Sequence, residues 1–152
     1  MIKKKVSISP LFFDTYLQII KQSPKTKIFR NFFATVNGKK KDVTKNGELS
    51  CAFFVSFILF HFKQIKSGHV TVDSTVKDLL KSGWKKIAKP LPGAVLIWEE
   101  KDFGPDGMHK HIGFYLGNNQ AVSNSEKRGY PIRHHFTYNR KRKVKMILFK
   151  QF

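Results

Sequence analysis

Cysteine occurs once in this 152-residue chain, at Cys51. A lone thiol excludes an intramolecular disulfide framework and any cysteine-rich zinc site, so it is either inert or reactive, and the redox compartment stays open. Acidic residues are scarce as well, 10 Asp and Glu against 29 Lys and Arg, for a formal charge of +19. A field of that size attracts anionic partners, whether nucleic acid, membrane surface or cell-wall polymer, without selecting among them. Long apolar runs are missing. The longest, Cys51 to Phe62, is broken by Ser56 and His61 and falls short of the roughly 20 residues that cross a bilayer, so no transmembrane segment is expected. The opening MIKKKVSISPLFF carries basic residues but no apolar core and no small-residue cleavage site, so no secretory signal is expected there and localisation is left open.

What is present is enough to fold. A hydrophobic share of 41% with 14% aromatics argues against disorder, and the length suits one domain over residues 1–152. After Ser9-Pro10, the stretch LFFDTYLQIIKQ places apolar residues at helical spacing until Ser23-Pro24 stops it. The segment from Thr26 to Ser50 has a short amphipathic part, then a loop rich in Gly, Asn and Lys with a turn at Asn46-Gly47. Cys51 to Phe62 reads as the central buried helix. Thr71 to Leu80 reads as an extended lead-in and a helix capped by Asp73 or Ser74 and ended by Gly83.

From Pro92 the pattern changes to strands: Val95 to Trp98, His111 to Leu116, Ala121 to Ser125 and Val144 to Phe149. A polar loop runs through Gly104 to Gly107, and Gly117-Asn118-Asn119 forms a hairpin turn. The stretch GYPIRHHFTY, marked by Tyr130-Pro131, is expected as a loop near a cleft, and Trp84 and Trp98 as core or cleft wall. Helices first and strands second describe an α+β class with an antiparallel C-terminal sheet.

Cys51 follows a polar turn and begins an apolar run, which places a thiol at a helix start. Free N–H groups and the helix dipole there favour a thiolate, although a buried core cysteine is the alternative for this residue type. Nucleophilic cysteine chemistry also needs an imidazole that takes and returns the proton and a polar group that orients it. His111, at a strand start, and the Ser123-Asn124-Ser125 segment supply these in order, though His111 also suits a partly exposed strand residue.

Over approximately Asn46 to Ser125 the chain resembles the NlpC-type peptidases and the related CHAP amidases, papain-like bacterial cell-wall hydrolases. SCAFFVSFIL resembles their Asp-Cys-Ser-Gly nucleophile helix, LPGAVLIW their Pro-Gly-Asp strand, and HIGFYLGNNQAVSNS their His-x-Gly-x-Tyr-x-Gly hairpin. The resemblance implies a papain-like fold, with N-terminal helices and a central nucleophile helix packed on a C-terminal antiparallel sheet. It also implies Cys51 as nucleophile, His111 as general base, and attack on an amide bond, commonly in peptidoglycan stem peptides, through an acyl-enzyme. The chain departs from the family pattern at Ser50, where an aspartate is usual, at Ala52-Phe53, where a small pair is usual, and at Ala94, where the strand aspartate is usual. Where the family places a tyrosine upstream of its cysteine, FFATVNG offers only phenylalanines, so the resemblance implies the Cys51 N–H as half of an oxyanion hole and leaves the other half unassigned. An ungapped count puts the orienting residue at Ser123, whereas side-chain chemistry favours the amide oxygen of Asn124, and a one-residue slip in the turn exchanges them.

His109, His134 and His135 invite a zinc-site reading, but no H-E-x-x-H or cysteine pair supports it, and neither metal nor cofactor is expected. No helix-turn-helix, RNP-type or zinc-finger signature accompanies the basic clusters at Lys3 to Lys5, Lys39 to Lys41 and Arg140 to Lys145. The expectation is a cysteine peptidase or amidase acting on peptidoglycan or a peptide. Two alternatives stand beside it: a catalytically silent module that holds an anionic polymer, and a nonspecific nucleic-acid binder.

Overall fold

The computed structural model describes residues 4–152, so Lys3 of the first basic cluster lies outside the described residues. Helix α1 (Phe12–Gln22) turns Phe13, Tyr16, Leu17 and Ile20 to one side, and Tyr16 and Ile20 are fully buried. That spacing is the apolar stripe of a surface helix. The Tyr16 hydroxyl donates to the Gly93 carbonyl at 2.7 Å, which satisfies a buried polar group and ties α1 to the turn that starts the sheet.

Where the sequence led us to expect a loop there is a hairpin, β1 (Phe33–Val36) and β2 (Lys39–Asp42), forming a separate two-stranded sheet. Its turn is Asn37-Gly38, with φ of 51° and 75°, the left-handed pair that a two-residue hairpin requires. The strands lack an alternating apolar face, which is why periodicity did not expose them. Asp42 ends β2 as an acceptor hub for Asn31 Nδ2, Thr44 Oγ1 and the N–H groups of Phe32, Thr44 and Asn46.

Helix α2 (Cys51–His61) is apolar around nearly its whole circumference, and seven of its residues, including Phe53, Phe54, Val55, Ile58 and Leu59, are buried. A helix of that kind has to be enclosed. Helix α3 (Val72–Lys81) begins two to three residues before the expected caps: Thr71, in extended geometry, is the N-cap and accepts from the Ser74 N–H at 3.2 Å. Asp73 and Ser74 lie inside the helix. Asp78 of α3 accepts from the N–H groups of Lys66 and Ser67, from His69 Nε2 and from Ser82 Oγ, so it fastens the α2–α3 connection.

The main sheet has six antiparallel strands in the order β3-β8-β4-β5-β6-β7: β3 (Lys85–Lys86), β4 (Val95–Asp102), β5 (Met108–Gly117), β6 (Gln120–Ser125), β7 (Tyr130–His135) and β8 (Val144–Phe149). The class is α+β. Val95, Ile97, Ile112, Phe114 and Val122 face the helices, and Ala94, Leu96, Trp98, Tyr115 and Ala121 form a second apolar layer on the opposite face. The expected loop around Tyr130-Pro131 is the edge strand β7, where a proline is tolerated because only one side is in a ladder. Among the described residues no helix is long and apolar enough to cross a membrane.

Asp42 generates a test of the hairpin. Desolvation raises its pKa, but hydrogen bonds from Thr44, Asn31, Asn46 and Phe32 outweigh it and hold the carboxyl well below the usual carboxylate range. Asp42→Ala should cost about 2–4 kcal/mol at neutral pH, in line with losing several charge-assisted hydrogen bonds. A depressed folded-state pKa stabilises fully above the unfolded value near 4, and that contribution is lost as pH falls further. Urea denaturation of both proteins at pH 7 and pH 3 should therefore show a gap that narrows in acid. A gap that widened would contradict the hub.

Candidate active site

The segment that precedes α2 is clamped to the far end of β6 and β7. Asn124 Nδ2 donates to the Gly47 carbonyl at 2.7 Å, and Arg30 Nε donates to the Gly129 carbonyl at 3.1 Å. Gly47, at φ 92°, lies so close to Gly129 that a Cβ there would be 2.4 Å from the Gly129 oxygen. Only glycine fits such an approach. The clamp fixes where α2 starts, and therefore where Cys51 stands.

The Cys51 thiol is half-buried, and the nearby N–H groups of Ile112 and Ala52 favour its charged form. The ladder between β5 and β6 ends at the Gly113–Ser123 pair, which leaves the next amide, Ile112 N–H, outside it and near enough to the sulfur to act on its charge. The nucleophile candidate thus packs on the Ile112 side of the sheet, and among the described residues no hydrogen bond joins its sulfur to the His111 ring. Cys51 and His111 line one cavity of about 850 Å³.

His111 is buried at 8% exposure, and its Nε2 lies 2.9 Å from Ser123 Oγ. Among the described residues its Nδ1 has no hydrogen-bond partner. Gly113, between them in the motif, explains the contact: a Cβ there would be 2.6 Å from the Val122 oxygen, 2.7 Å from Ser123 Cβ and 3.0 Å from the Trp98 ring. A side chain at that position would drive Ser123 and Trp98 out of reach of the imidazole.

The preference for Asn124 as the orienting group is corrected by this register. Ser123 shares the outer face with His111, whereas Asn124 turns to the helix side, bonds Gly47 and keeps its Oδ1 enclosed without a donor among the described residues. Successive strand residues point to opposite faces, so one position decides the matter. Asn124 positions the loop ahead of Cys51, and Ser123 touches the imidazole.

The favoured thiolate is also corrected. Burial pushes the Cys51 pKa up, and the Ile112 and Ala52 N–H groups and the Arg142 charge only partly offset it. Burial likewise pushes His111 well below its ordinary value, with the charges of Arg142, His134 and Lys101 acting in the same direction. Both directions favour a neutral thiol and a neutral imidazole at rest.

Three residues join the site without having been assigned to it from sequence. Tyr138, on the connection between β7 and β8, stacks on His134 with ring centroids 3.9 Å apart and places its hydroxyl 2.8 Å from Ser123 Oγ. Burial pushes its pKa up to about 12, so it is a neutral phenol. His134 Nε2 is 2.7 Å from the same oxygen. Arg142 is anchored by Nε and Nη2 to the Glu99 carbonyl and by Nη2 to the His109 carbonyl, and it lines the cavity with Cys51. In the sequence Arg142 was one of several cations in a basic run, and the only available signal was its proximity to a strand. Trp98, fully buried, forms the wall behind His111 and His134, with centroids 5.2 and 5.6 Å away. Trp84 is core.

Among the described residues no group of three or more His, Cys, Asp or Glu side chains could hold a metal ion. The histidines that suggested zinc use ring nitrogens elsewhere: His109 on the Asp106 carbonyl, His134 on Ser123 and the His135 carbonyl, and His135 on Thr137.

The two pKa directions set the pH dependence of the thiol. Thiolate accumulates only as pH rises towards a raised pKa, so iodoacetamide should modify Cys51 more slowly than free cysteine at pH 7, with a rate that climbs through the alkaline range. A plateau beginning near pH 6 would instead indicate a preformed thiolate–imidazolium pair and contradict these directions. Compared with protein-family models and with curated proteins, the chain matches none.

Proposed function

We propose that the chain is a papain-like cysteine hydrolase of the NlpC and CHAP type that cleaves an amide bond in peptidoglycan stem peptides or a related peptide. The observation that carries this reading is the thiol at the start of α2, which lines one cavity with a buried imidazole whose Nε2 meets Ser123 and whose Nδ1 has no partner among the described residues. An imidazole held at one nitrogen and open at the other is what a general base beside a thiol requires.

In the proposed reaction the sulfur attacks the amide carbon as its proton passes to His111 Nδ1. The tetrahedral oxyanion forms near the Cys51 N–H. His111 returns the proton to the departing nitrogen, the C–N bond breaks and a thioester remains. Water then attacks with His111 again taking a proton, and C–S cleavage releases the acid and restores the thiol. Because the resting thiol is neutral, its proton has to leave the sulfur for attack to occur.

Arg142 is the group best suited to the unassigned half of the oxyanion site. Its Nε and Nη2 are held by carbonyls of β4 and β5, which leaves Nη1 for a ligand, and the guanidinium acts electrostatically on Cys51. Cys51→Ala should reduce cleavage of purified peptidoglycan or its stem peptides to background. Arg142→Met should cost about 100-fold in turnover, the size of one lost oxyanion donor, with a smaller change in KM. Undiminished cleavage by Cys51→Ala would end the hydrolase reading.

The charge distribution supports a second role for the surface. Among the described residues five carboxylates line the cavity (Glu48, Asp73, Glu99, Glu100, Glu126) and so do five Lys and Arg, although the sequence holds 29 basic residues against 10 acidic ones. The cleft is therefore near neutrality while the remaining surface is strongly cationic. A neutral cleft suits a peptide that carries both charges, and the cationic exterior suits an anionic polymer to which that peptide is attached. Cys51→Ala should sediment with cell-wall sacculi at low salt and be released as the Debye length falls from about 10 Å to about 3 Å. Retention on duplex DNA without retention on sacculi would favour the nucleic-acid alternative.

A further inference from the structure

Ser123 Oγ is a hub with three partners: His111 Nε2 at 2.9 Å, His134 Nε2 at 2.7 Å and Tyr138 Oη at 2.8 Å. A hydroxyl donates one hydrogen bond and accepts two, so three contacts fill it completely and leave little freedom in assigning protons. His134 Nδ1 lies 2.8 Å from the His135 carbonyl, which can only accept, so that nitrogen carries hydrogen. In neutral His134, Nε2 is then bare and must accept from Ser123. The single Ser123 proton is thereby used, and both His111 Nε2 and Tyr138 Oη must donate to Ser123. The hydrogen bonds run from His111 to Ser123 to His134 to the His135 carbonyl in one direction.

We propose that His134 is a positioning residue that, acting through Ser123, holds His111 in the tautomer with a bare Nδ1 and accepts the proton that His111 takes from Cys51. This rests on the cysteine-hydrolase reading of the site.

The transfer balances. The thiol proton moves to His111 Nδ1, the proton on His111 Nε2 moves to Ser123 Oγ, and the Ser123 proton moves to His134 Nε2. Cys51 becomes a thiolate, His111 is neutral again as the opposite tautomer, and His134 becomes an imidazolium donating to both Ser123 and the His135 carbonyl. Ser123 still donates once and accepts twice, so no hydrogen bond is lost.

Charge and burial favour this end point. Arg142 and Lys101 both act against a positive charge on His111, whereas His134 faces the charge of His135 and gains from the His135 carbonyl. Tyr138, stacked on His134, is neutral, and Glu126 acts on Tyr138 and Arg142 from the β6–β7 turn. His134 is also the less buried of the two rings. A proton moved along the hub leaves the neighbourhood of Arg142, which remains beside the thiolate it stabilises.

Long-range proton–nitrogen NMR of the imidazoles tests the tautomers in the unsubstituted protein. Hydrogen on Nε2 of His111 and on Nδ1 of His134 is expected, and hydrogen on Nδ1 of His111 would overturn the proposal. His134→Gln keeps an acceptor for Ser123 but cannot take up a proton at neutral pH. It should slow alkylation of Cys51 by iodoacetamide at pH 7.5 about tenfold, equivalent to about one pK unit of lost proton affinity, and displace the pH profile to higher pH. An unchanged profile in a folded His134→Gln protein would also overturn it. The hydrolase reading fails separately, by undiminished cleavage in Cys51→Ala, whatever the tautomers prove to be.

Discussion

The enclosure of α2 is the constraint on which the other parts depend. A helix with no polar side cannot lie at a surface, so it is covered by the sheet, by α1 and α3, and by Phe29 and Phe32 from the segment before it. Phe54 meets Phe114 of β5 with centroids 5.4 Å apart, and Tyr16 of α1 meets both Phe114 and Phe62 at 5.7 Å. Each such ring contributes about 1.5–3 kcal/mol by burial, against about 1 kcal/mol for a typical hydrogen bond. Stability is therefore concentrated in the aromatic layer on the helix side. The polar network of the site lies mainly on the other face, where it is free to answer to proton positions.

Because one face carries the fold and the other the imidazole, Cys51 and His111 reach their shared cavity from opposite sides of the sheet. The sulfur arrives from the helix side where the β5–β6 ladder stops, and the imidazole arrives from the outer face one residue away. Gly113 keeps Ser123 and Trp98 close enough to hold the ring. Its place in the motif is a requirement for space and not for an unusual backbone angle.

The regular apolar elements were legible in the sequence for the same reason. Helix α1 and strands β4, β5, β6 and β8 announce themselves by their apolar pattern, and Cys51 by its position at a helix start, whereas His111, expected to open its strand, is the fourth residue of β5. The β1–β2 hairpin and β7 did not, since Lys39 to Asp42 has no apolar alternation and Pro131 reads as a breaker until its edge location is known. The choice between Ser123 and Asn124 needed a register, which side-chain chemistry alone does not supply. Tyr138 and Arg142 reach the cavity from a connection whose path is set by long-range packing. The helix-start argument named a real influence on the thiol, but burial is larger and opposite in sign.

That same connection holds three successive left-handed residues, Tyr138, Asn139 and Arg140, with φ of 50°, 54° and 68°. Asparagine accepts this conformation readily, but tyrosine and arginine are raised by about 1–2 kcal/mol each. The backbone that delivers the Tyr138 ring to Ser123 is consequently wound like a spring against the aromatic stack on His134. Its release relieves local strain while leaving the α2 core untouched. Heat or mild denaturant would silence the site through this segment first, so a protein that has lost its chemistry can still be fully folded by every measure of its core.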